Sequence, residues 1–136
     1  MDLGHWSTDL ILESNNKPCG FIYEITCTVN SKKYIGKKQC LTLLKRKPLK
    51  GKKNKRIEEK ETDCRTYTSS SRELNEDIVN FGKEQFKFQI IKWCYSKFDL
   101  AYSEAKIQFE KEVLLKDEYY NGIINLRVGR PKKRYI

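Results

Sequence analysis

A stretch of alternating apolar and polar residues at positions 20–36, GFIYEITCTVNSKKYIG, most constrains the fold. By the two-residue period of a strand, one face would carry Phe21, Tyr23, Ile25 and Cys27. Residues 28–32 supply turn-forming asparagine and serine, and residues 33–36 return the chain. The stretch therefore predicts a β-hairpin with one tyrosine in each strand.

A capping signature predicts the first helix. Ser70 precedes Glu73 by three positions, as in a capping box, and Gly82 offers a stop. Between them an apolar set repeats at helical spacing: Leu74, Ile78 and Phe81.

Three further elements complete the predicted fold. Residues 86–94, FKFQIIKWC, alternate as a strand, and residues 99–115 predict a longer helix with Ser96 and Asp99 available at its start. A turn at 121–122 precedes a short final strand at 123–128. The order β-β-α-β-α-β predicts an α+β fold, a small antiparallel β-sheet with packed helices.

Basic residues are segregated along the chain. Residues 32–56 hold twelve lysines and arginines without an acid, residues 127–136 hold five more, and the net charge is +10. A solubility surface would mix the signs, whereas segregation is typical of a polyanion-binding protein. Nucleic acid is the favoured partner. An anionic membrane surface is the weaker alternative, because neither basic segment has an apolar face to insert.

These basic segments suggest a domain organisation. An arm at 1–17 precedes a domain at 18–126, which carries a basic insertion at about 45–60, and a basic tail follows at 127–136. Pro48 and Gly51 indicate that the insertion is a loop rather than a regular element. The candidate DNA-binding residues are Lys38, Lys50, Lys52, Lys53, Lys55, Arg56, Arg130, Lys132 and Lys133.

Other function classes find little support. The chain has no apolar run of membrane-spanning length and no signal-peptide pattern at its start, and its five cysteines form no C-x-x-C pair. We therefore expect a cytoplasmic protein with reduced thiols, no membrane association and no obligate protein partner.

Three features could carry chemistry, each with a structural alternative. Tyr23 and Tyr34 face a lysine-rich surface that would favour a phenolate, although tyrosines also pair across hairpins for packing alone. Glu104 shares a helical stripe with Leu100 and Ile107, and a single carboxylate suits Mg²⁺. Asn125, in the predicted final strand, would be a buried amide that needs hydrogen-bond partners.

The helix carrying Glu104 has a second apolar stripe, so its buried side stays open at this point. That stripe comprises Tyr102, Phe109 and Val113.

Taken together these motifs resemble the GIY-YIG nucleases. GFIY at 20–23 and YIG at 34–36 match the two halves of the family signature through Gly20, Tyr23, Tyr34 and Gly36. The resemblance continues through Glu104 and Asn125 and covers about residues 20–127. The chain most resembles small Seg-like homing endonucleases of large tailed phages in four segments: YIGKK, KGKKNKR, YTSSS and SEAKIQFEKEVLL.

The resemblance implies hydrolysis of phosphodiester bonds in double-stranded DNA with one metal ion, Mg²⁺ or Mn²⁺ as a substitute. By this analogy Glu104 holds the metal and Asn125 orients the site. Tyr23, or less favourably Tyr34, would deprotonate the attacking water, and Lys37 would lower the proton affinity of that tyrosine.

The resemblance leaves two positions open. Arg46 is favoured over Arg56 as the arginine that neutralises charge on the phosphate. Tyr67 is the candidate for a position near the serine run that many members fill with histidine or tyrosine.

The wider role also stays open. A protein that keeps the fold and binds nucleic acid without cleaving it is the alternative function, and RNA binding on a tyrosine platform is a third. Double-strand cleavage would need either two sequential nicks or the transient pairing of two copies on DNA. If the protein is phage-encoded, its compartment would be the host cytoplasm.

Overall fold

The computed structural model describes residues 2–12, 17–125 and 128–131, without the side chains of residues 45 and 46. Its strands and helices, in chain order, are β1 (Gly20–Cys27), β2 (Lys33–Gln39), β3 (Leu41–Arg46), β4 (Arg56–Glu61), α1 (Arg72–Phe81), β5 (Phe86–Cys94) and α2 (Lys97–Glu110). Short 3-10 turns at Cys64–Thr66 and Lys83–Gln85 precede α1 and β5. The predicted hairpin at 20–36 is confirmed as β1 and β2.

Two antiparallel sheets result. The main sheet has the order β2-β1-β5, and its register places Tyr23 opposite Gly36. Strands β3 and β4 form a separate two-stranded sheet. The predicted α+β class is confirmed, with a small antiparallel sheet and two helices.

Each face of the main sheet covers its own core. The predicted apolar face of β1 is buried with β5 and with Leu74 of α1, while Ile22 and Ile35 on the opposite face pack with Leu100 of α2. This settles the buried side of α2: Leu100 is buried, whereas Tyr102 and Phe109 of the competing stripe are about half exposed. Val113, the third residue of that stripe, is buried but lies beyond the end of the helix.

The segment before residue 18 belongs to the first core. Trp6 is buried among the rings of Phe21, Tyr23 and Phe88, and Ser7 forms a parallel bridge with Gln89. A domain boundary at residue 18 would therefore cut Trp6 away from the side chains that it covers.

Helix α1 begins one residue later than the capping box predicted. The N-cap is Ser71, whose hydroxyl accepts a hydrogen bond from the Leu74 amide at 3.2 Å. Glu73 forms an ion pair with Lys32 at 3.0 Å instead of closing a box with Ser70. The helix does end at Gly82 as predicted, where φ is +92°, a value that favours glycine.

Helix α2 starts at the predicted cap but ends early. Ser96 accepts a hydrogen bond from the Asp99 amide, yet the helix stops at Glu110 rather than at residue 115. The left-handed φ of +53° at Glu112 turns the chain out of the helix. The final strand predicted at 123–128 is wrong for its described residues, which form no strand.

The basic insertion is more ordered than a loop. Its flanks pair in register from Leu41↔Glu61 to Arg46↔Arg56, and only residues 47–55 connect the two strands. Prediction of a loop from Pro48 and Gly51 was therefore correct for the connection and wrong for its two ends.

Candidate active site

The two hairpin tyrosines lie together on one face of the sheet. Tyr23 on β1 is 1% exposed, and Tyr34 on β2 is half-buried. Their ring centres are 6.1 Å apart at 27°, close to parallel. A third ring, Tyr67, stands edge-on to Tyr23 at 6.2 Å. The sequence candidate Tyr67 is thus brought to the tyrosine pair.

Gly36 allows this packing because it lies beneath both phenols. A Cβ there would stand 2.5 Å from the Tyr23 hydroxyl oxygen and 2.8 Å from a ring carbon of Tyr34. Real Cβ atoms do not approach that closely, so any other residue would push the tyrosines apart. Gly20 is similarly restricted, since its Cβ would overlap the Lys38 carbonyl.

Glu104 reaches the same place from helix α2. The carboxylate accepts a hydrogen bond from the Lys37 backbone N–H, and it interacts electrostatically with Tyr23 and Tyr34. Burial raises the pKa of Glu104, against the opposing effect of the Lys37 side chain and amide. The fold therefore holds a carboxylate where it disfavours the ionised form, which is typical of functional sites.

Burial opposes the ionisation of both phenols. Burial raises the pKa of Tyr23 well above its ordinary value, and Tyr34, Tyr67 and Glu104 add to the effect. The pKa of Tyr34 is also raised by burial, although a hydrogen bond from Ser70 partly opposes this. Lys37 interacts with Glu104, and its effect on the proton affinity of a tyrosine stays a prediction.

Lys38 borders the site from the tyrosine side. Its ammonium lies 4.1 Å from the centre of the Tyr67 ring and 2.7 Å from an Asp63 carboxylate oxygen. With only 19% of its side chain exposed, Lys38 belongs to the site rather than to an open phosphate-binding surface. Its assignment to DNA binding stays a prediction.

Groups from other parts of the chain hydrogen-bond to the unpaired backbone edge of β2, and these bonds position the site. Strand β2 pairs with β1 on one side only, so alternate backbone groups on its other side need partners. Lys33 exchanges hydrogen bonds with the backbone of Glu118 and Tyr120. At Ile35, Asn121 accepts from the amide at 3.1 Å and donates to the carbonyl at 2.8 Å.

Two residues of α2 complete this edge. Gln108 donates to the Ile35 carbonyl at 2.8 Å, and Glu104 accepts from the Lys37 amide. The main-chain edge thus determines where Glu104 stands relative to Tyr34 and Gly36.

Asn125 does not have the buried role predicted for it. Its side chain is exposed and follows no strand, while Asn121 is 8% exposed and holds Ile35 by both of its amide atoms. The sequence reasoning took Asn121 only as a turn residue before Gly122. Its two tyrosine neighbours, Tyr119 and Tyr120, were the available signal that this asparagine is packed into the fold.

Both candidate arginines lie on the hairpin of β3 and β4 rather than on the strands that carry the tyrosines. Arg46 and Arg56 are register partners at the outer end of the β3–β4 hairpin, five residues or about 17 Å along the strand from Leu41. The Arg56 side chain donates to the Lys47 carbonyl at 3.4 Å. The choice of Arg46 over Arg56 therefore stays a prediction.

The remaining basic candidates lie on the surface or beyond the described residues. Lys50, Lys52, Lys53 and Lys55 are exposed in the loop 47–55, and Arg130 is exposed near the carboxyl terminus. Lys132 and Lys133 lie outside the described residues.

A comparison with protein families decides what this arrangement belongs to. Residues 6–124 match the family model described as "Putative endonuclease segE, GIY-YIG domain". The chain belongs to the GIY-YIG endonuclease family. The match starts at Trp6, so the GIY-YIG domain includes most of the arm that the sequence analysis had set apart. No match to a curated protein or to a solved structure was found.

The family membership confirms the resemblance drawn from the two half-motifs and from Glu104. A GIY-YIG domain is a nuclease domain, and the chain is accordingly a nuclease by family. Among the described residues, no helix is both long enough and apolar enough to cross a bilayer.

Proposed function

We propose that this protein hydrolyses phosphodiester bonds of double-stranded DNA at the site formed by Tyr23, Tyr34 and Glu104. The observation that carries the proposal is their convergence. Strand β1, strand β2 and helix α2 each supply one of these groups, and the three interact electrostatically although about 80 residues separate the first from the last. Packing alone gives no reason to hold a half-buried carboxylate beside two phenols.

The site fits a single hard divalent cation such as Mg²⁺, with Mn²⁺ as a substitute. Within the described residues, no cluster of three or more acidic, cysteine or histidine side chains could hold a metal. One carboxylate suits Mg²⁺, which keeps waters and takes substrate phosphate oxygens as its other ligands. Glu104 would hold the cation, which when bound would polarise the scissile phosphate. A cation there would also offset the burial of the Glu104 charge.

The protein's own groups would orient the reaction. The phenols of Tyr23 and Tyr34 are neutral near neutral pH, so their resting role is to hold the attacking water by hydrogen bonds. As the water oxygen bonds to phosphorus, the bond to the leaving sugar oxygen breaks; the attacking water gives one proton to solvent and the leaving oxygen takes one from solvent. Lys37 and Lys38 stand at the site and would stabilise the negative charge that grows on the phosphate oxygens.

The charge distribution favours DNA as the substrate. The exposed lysines of loop 47–55 form a basic projection beyond the body of the domain. Such lysines release counterions when they neutralise phosphates, which is the main source of affinity without sequence preference.

Plasmid cleavage tests the proposal. Supercoiled plasmid should be nicked or linearised with Mg²⁺, remain intact in chelator, and remain intact with Glu104→Ala under either condition. Plasmid binding without cleavage by the parent protein would instead support the silent nucleic-acid-binding alternative. Preferential binding of single-stranded RNA, unaffected by Glu104→Ala, would support RNA recognition.

The same cleavage assay tests whether cutting is of the homing type, whether both strands are broken and whether two copies pair on DNA. A homing-type endonuclease should cut a long DNA at few discrete positions, whereas a non-specific nuclease gives a smear. A single active site cuts one strand at a time, so double-strand breaks should appear after nicks. A rate of linearisation that rises with the square of protein concentration would indicate transient pairing of two copies on DNA.

A further inference from the structure

The β3–β4 hairpin stands apart from the body of the domain. Its strands pair with each other and not with the main sheet, and all six residues of β4 are exposed. Two paired strands lie about 4.8 Å apart, and six residues extend about 20 Å. The major groove of B-DNA, about 12 Å wide and 8.5 Å deep, admits a ribbon of this kind.

One face of this ribbon is turned to the body. Residues opposite each other in an antiparallel pair share a face, so Leu41 and Glu61 lie on one side with Glu59. All three line a cavity of about 440 Å³ that the ribbon forms with the domain. Glu59 pairs with Lys17 at 3.5 Å and Glu61 with Arg65 at 2.7 Å. This face therefore meets the body at the Leu41 end, whereas Leu43 and Ile57 on the same face stay exposed.

The opposite face is basic. By register it carries Lys60 opposite Thr42, with Arg56 at the outer end. Among the side chains that the structure describes, Glu58 is the one acid on this face against Arg56 and Lys60, whereas the body-facing side has two glutamates and no base. Arginine and lysine bind guanine O6 and N7 in the major groove, and threonine can hydrogen-bond to several bases.

The connection at 47–55 supplies the complementary contacts. Its exposed Lys50, Lys52, Lys53 and Lys55 lie next to the outer end of the basic face. Phosphate contacts position a protein on DNA, and contacts to base edges specify the sequence. The ribbon offers both kinds in adjacent places.

We infer that the β3–β4 hairpin enters the major groove and reads base pairs with the face that carries Arg56, Lys60 and Thr42, while the loop lysines hold the flanking phosphates. This inference rests on the proposed function only in taking double-stranded DNA as the substrate. It gives the chain a specificity element within the nuclease domain itself.

Methylation interference tests the inference on the full chain. After the preferred binding sites of Glu104→Gln protein are mapped on a long DNA by hydroxyl-radical footprinting, the same protein is bound to DNA that contains one such site and was treated beforehand with dimethyl sulfate. The reagent methylates guanine N7 in the major groove and adenine N3 in the minor groove. We expect bound DNA to be depleted of N7-methylguanine at discrete positions.

The variants locate the reading face. Combining Glu104→Gln with Arg56→Ala and Lys60→Ala should abolish that depletion. The same variant should lose ~10-fold or more of its preference for the site over unrelated DNA, since each good base contact contributes ~1–3 kcal/mol. Ile57→Ala is the matched control, because Ile57 is 67% exposed, adjacent to Arg56 and on the other face. It should leave the pattern and the preference unchanged.

Three results would overturn the inference: interference confined to adenine N3, a pattern unaltered by the double change, or binding of Glu104→Gln protein without site preference. None of these touches the proposed function, because cleavage with Mg²⁺ is measured separately. Loss of cleavage with the interference pattern intact would overturn the nuclease proposal alone.

Discussion

At the scale of single residues, some side chains of the site are held in positions that reduce the stability of the fold. Glu104 is held half-buried although burial raises its pKa, and the Tyr23 phenol is almost fully enclosed beneath the backbone of Gly36. A carboxylate with a raised folded-state pKa destabilises the fold wherever the unfolded chain would be ionised. The effect is present above the ordinary carboxyl pKa and vanishes below it.

Glu104→Gln should therefore raise the melting temperature near neutral pH while abolishing cleavage and leaving DNA affinity intact. The amide oxygen can still accept from the Lys37 N–H, and the buried charge is gone. As the pH falls below ~4, Glu104 becomes protonated in both the folded and the unfolded state of the parent protein. The difference in melting temperature between the parent and the variant should then disappear. Thermal unfolding without metal at the two pH values measures this.

The control for this change is Glu110→Gln, at an exposed position of the same helix. It should alter neither stability nor cleavage. If Glu104→Gln instead lowers the melting temperature at neutral pH, the carboxylate stabilises the fold and the electrostatic argument for a metal site fails.

Tyr23→Phe should lower turnover far more than stability. The ring and its contacts with Trp6, Tyr34 and Tyr67 remain, and only the hydroxyl is removed. A group that positions or takes the proton of water typically contributes ~10²–10⁴-fold to the rate. Single-turnover cleavage and thermal unfolding, measured on both Tyr23→Phe and Tyr34→Phe, check the assignment.

The comparison of these two variants identifies which phenol holds the attacking water. A larger loss in Tyr34→Phe would transfer that role to Tyr34, which is the more exposed phenol and accepts a hydrogen bond from Ser70. If neither substitution changes turnover appreciably, both tyrosines serve only to pack the hairpin.

Among the elements, β2 is central because it is an edge strand whose free side is filled by side chains. Asn121 and Gln108 satisfy Ile35, and Glu104 satisfies Lys37. An unsatisfied buried backbone group costs ~1–3 kcal/mol. The stability of this edge and the position of Glu104 should therefore depend on each other.

Asn121→Leu should destabilise the protein by about 2 kcal/mol and also reduce turnover, because it leaves the Ile35 amide without its partner. Asn125→Leu, at an exposed position only four residues later, should change the free energy of unfolding by much less. Urea unfolding of both variants measures the difference. Equal effects, or a larger effect at residue 125, would restore the sequence assignment of Asn125 as the amide that orients the site.

At the scale of the whole molecule, the basic charge lies on projections rather than on the body. Neutralising Lys50, Lys52, Lys53 and Lys55 should weaken binding to all DNA sequences about equally, since phosphates carry no base identity. The slope of log affinity against log salt should flatten by ~0.9 for each DNA phosphate that the variant no longer neutralises. Fluorescence anisotropy over a salt series measures this slope.

Turnover at saturating DNA should change little in that four-lysine variant, because these lysines have no part in the transition state. Arg46→Ala should instead lower turnover at saturation if Arg46 neutralises the phosphate, as the family resemblance implies. An unchanged salt slope in the four-lysine variant would show that the most basic stretch of the chain does not touch DNA.

The amino-acid sequence by itself determined the elements that depend on local pattern. Two-residue alternation gave β1 and its buried face, helical spacing gave α1, Gly82 marked the end of α1, and Ser96 marked the start of α2. The sequence also put Glu104 on the same helical stripe as Leu100, but it left a second stripe open, and packing decided between the two. Periodicity and capping act over a few residues, so they can be read without knowledge of the fold.

Only the tertiary structure decided which groups meet across the chain. Trp6 enters the core, Asn121 rather than Asn125 satisfies Ile35, and the ends of the basic insertion pair as a ribbon. In each case the contacting residue lies far away in the sequence, or it stands in a segment whose composition is typical of a loop. The pKa directions of Tyr23 and Glu104 belong here too, because burial is created by distant segments and no local pattern encodes how much water they exclude.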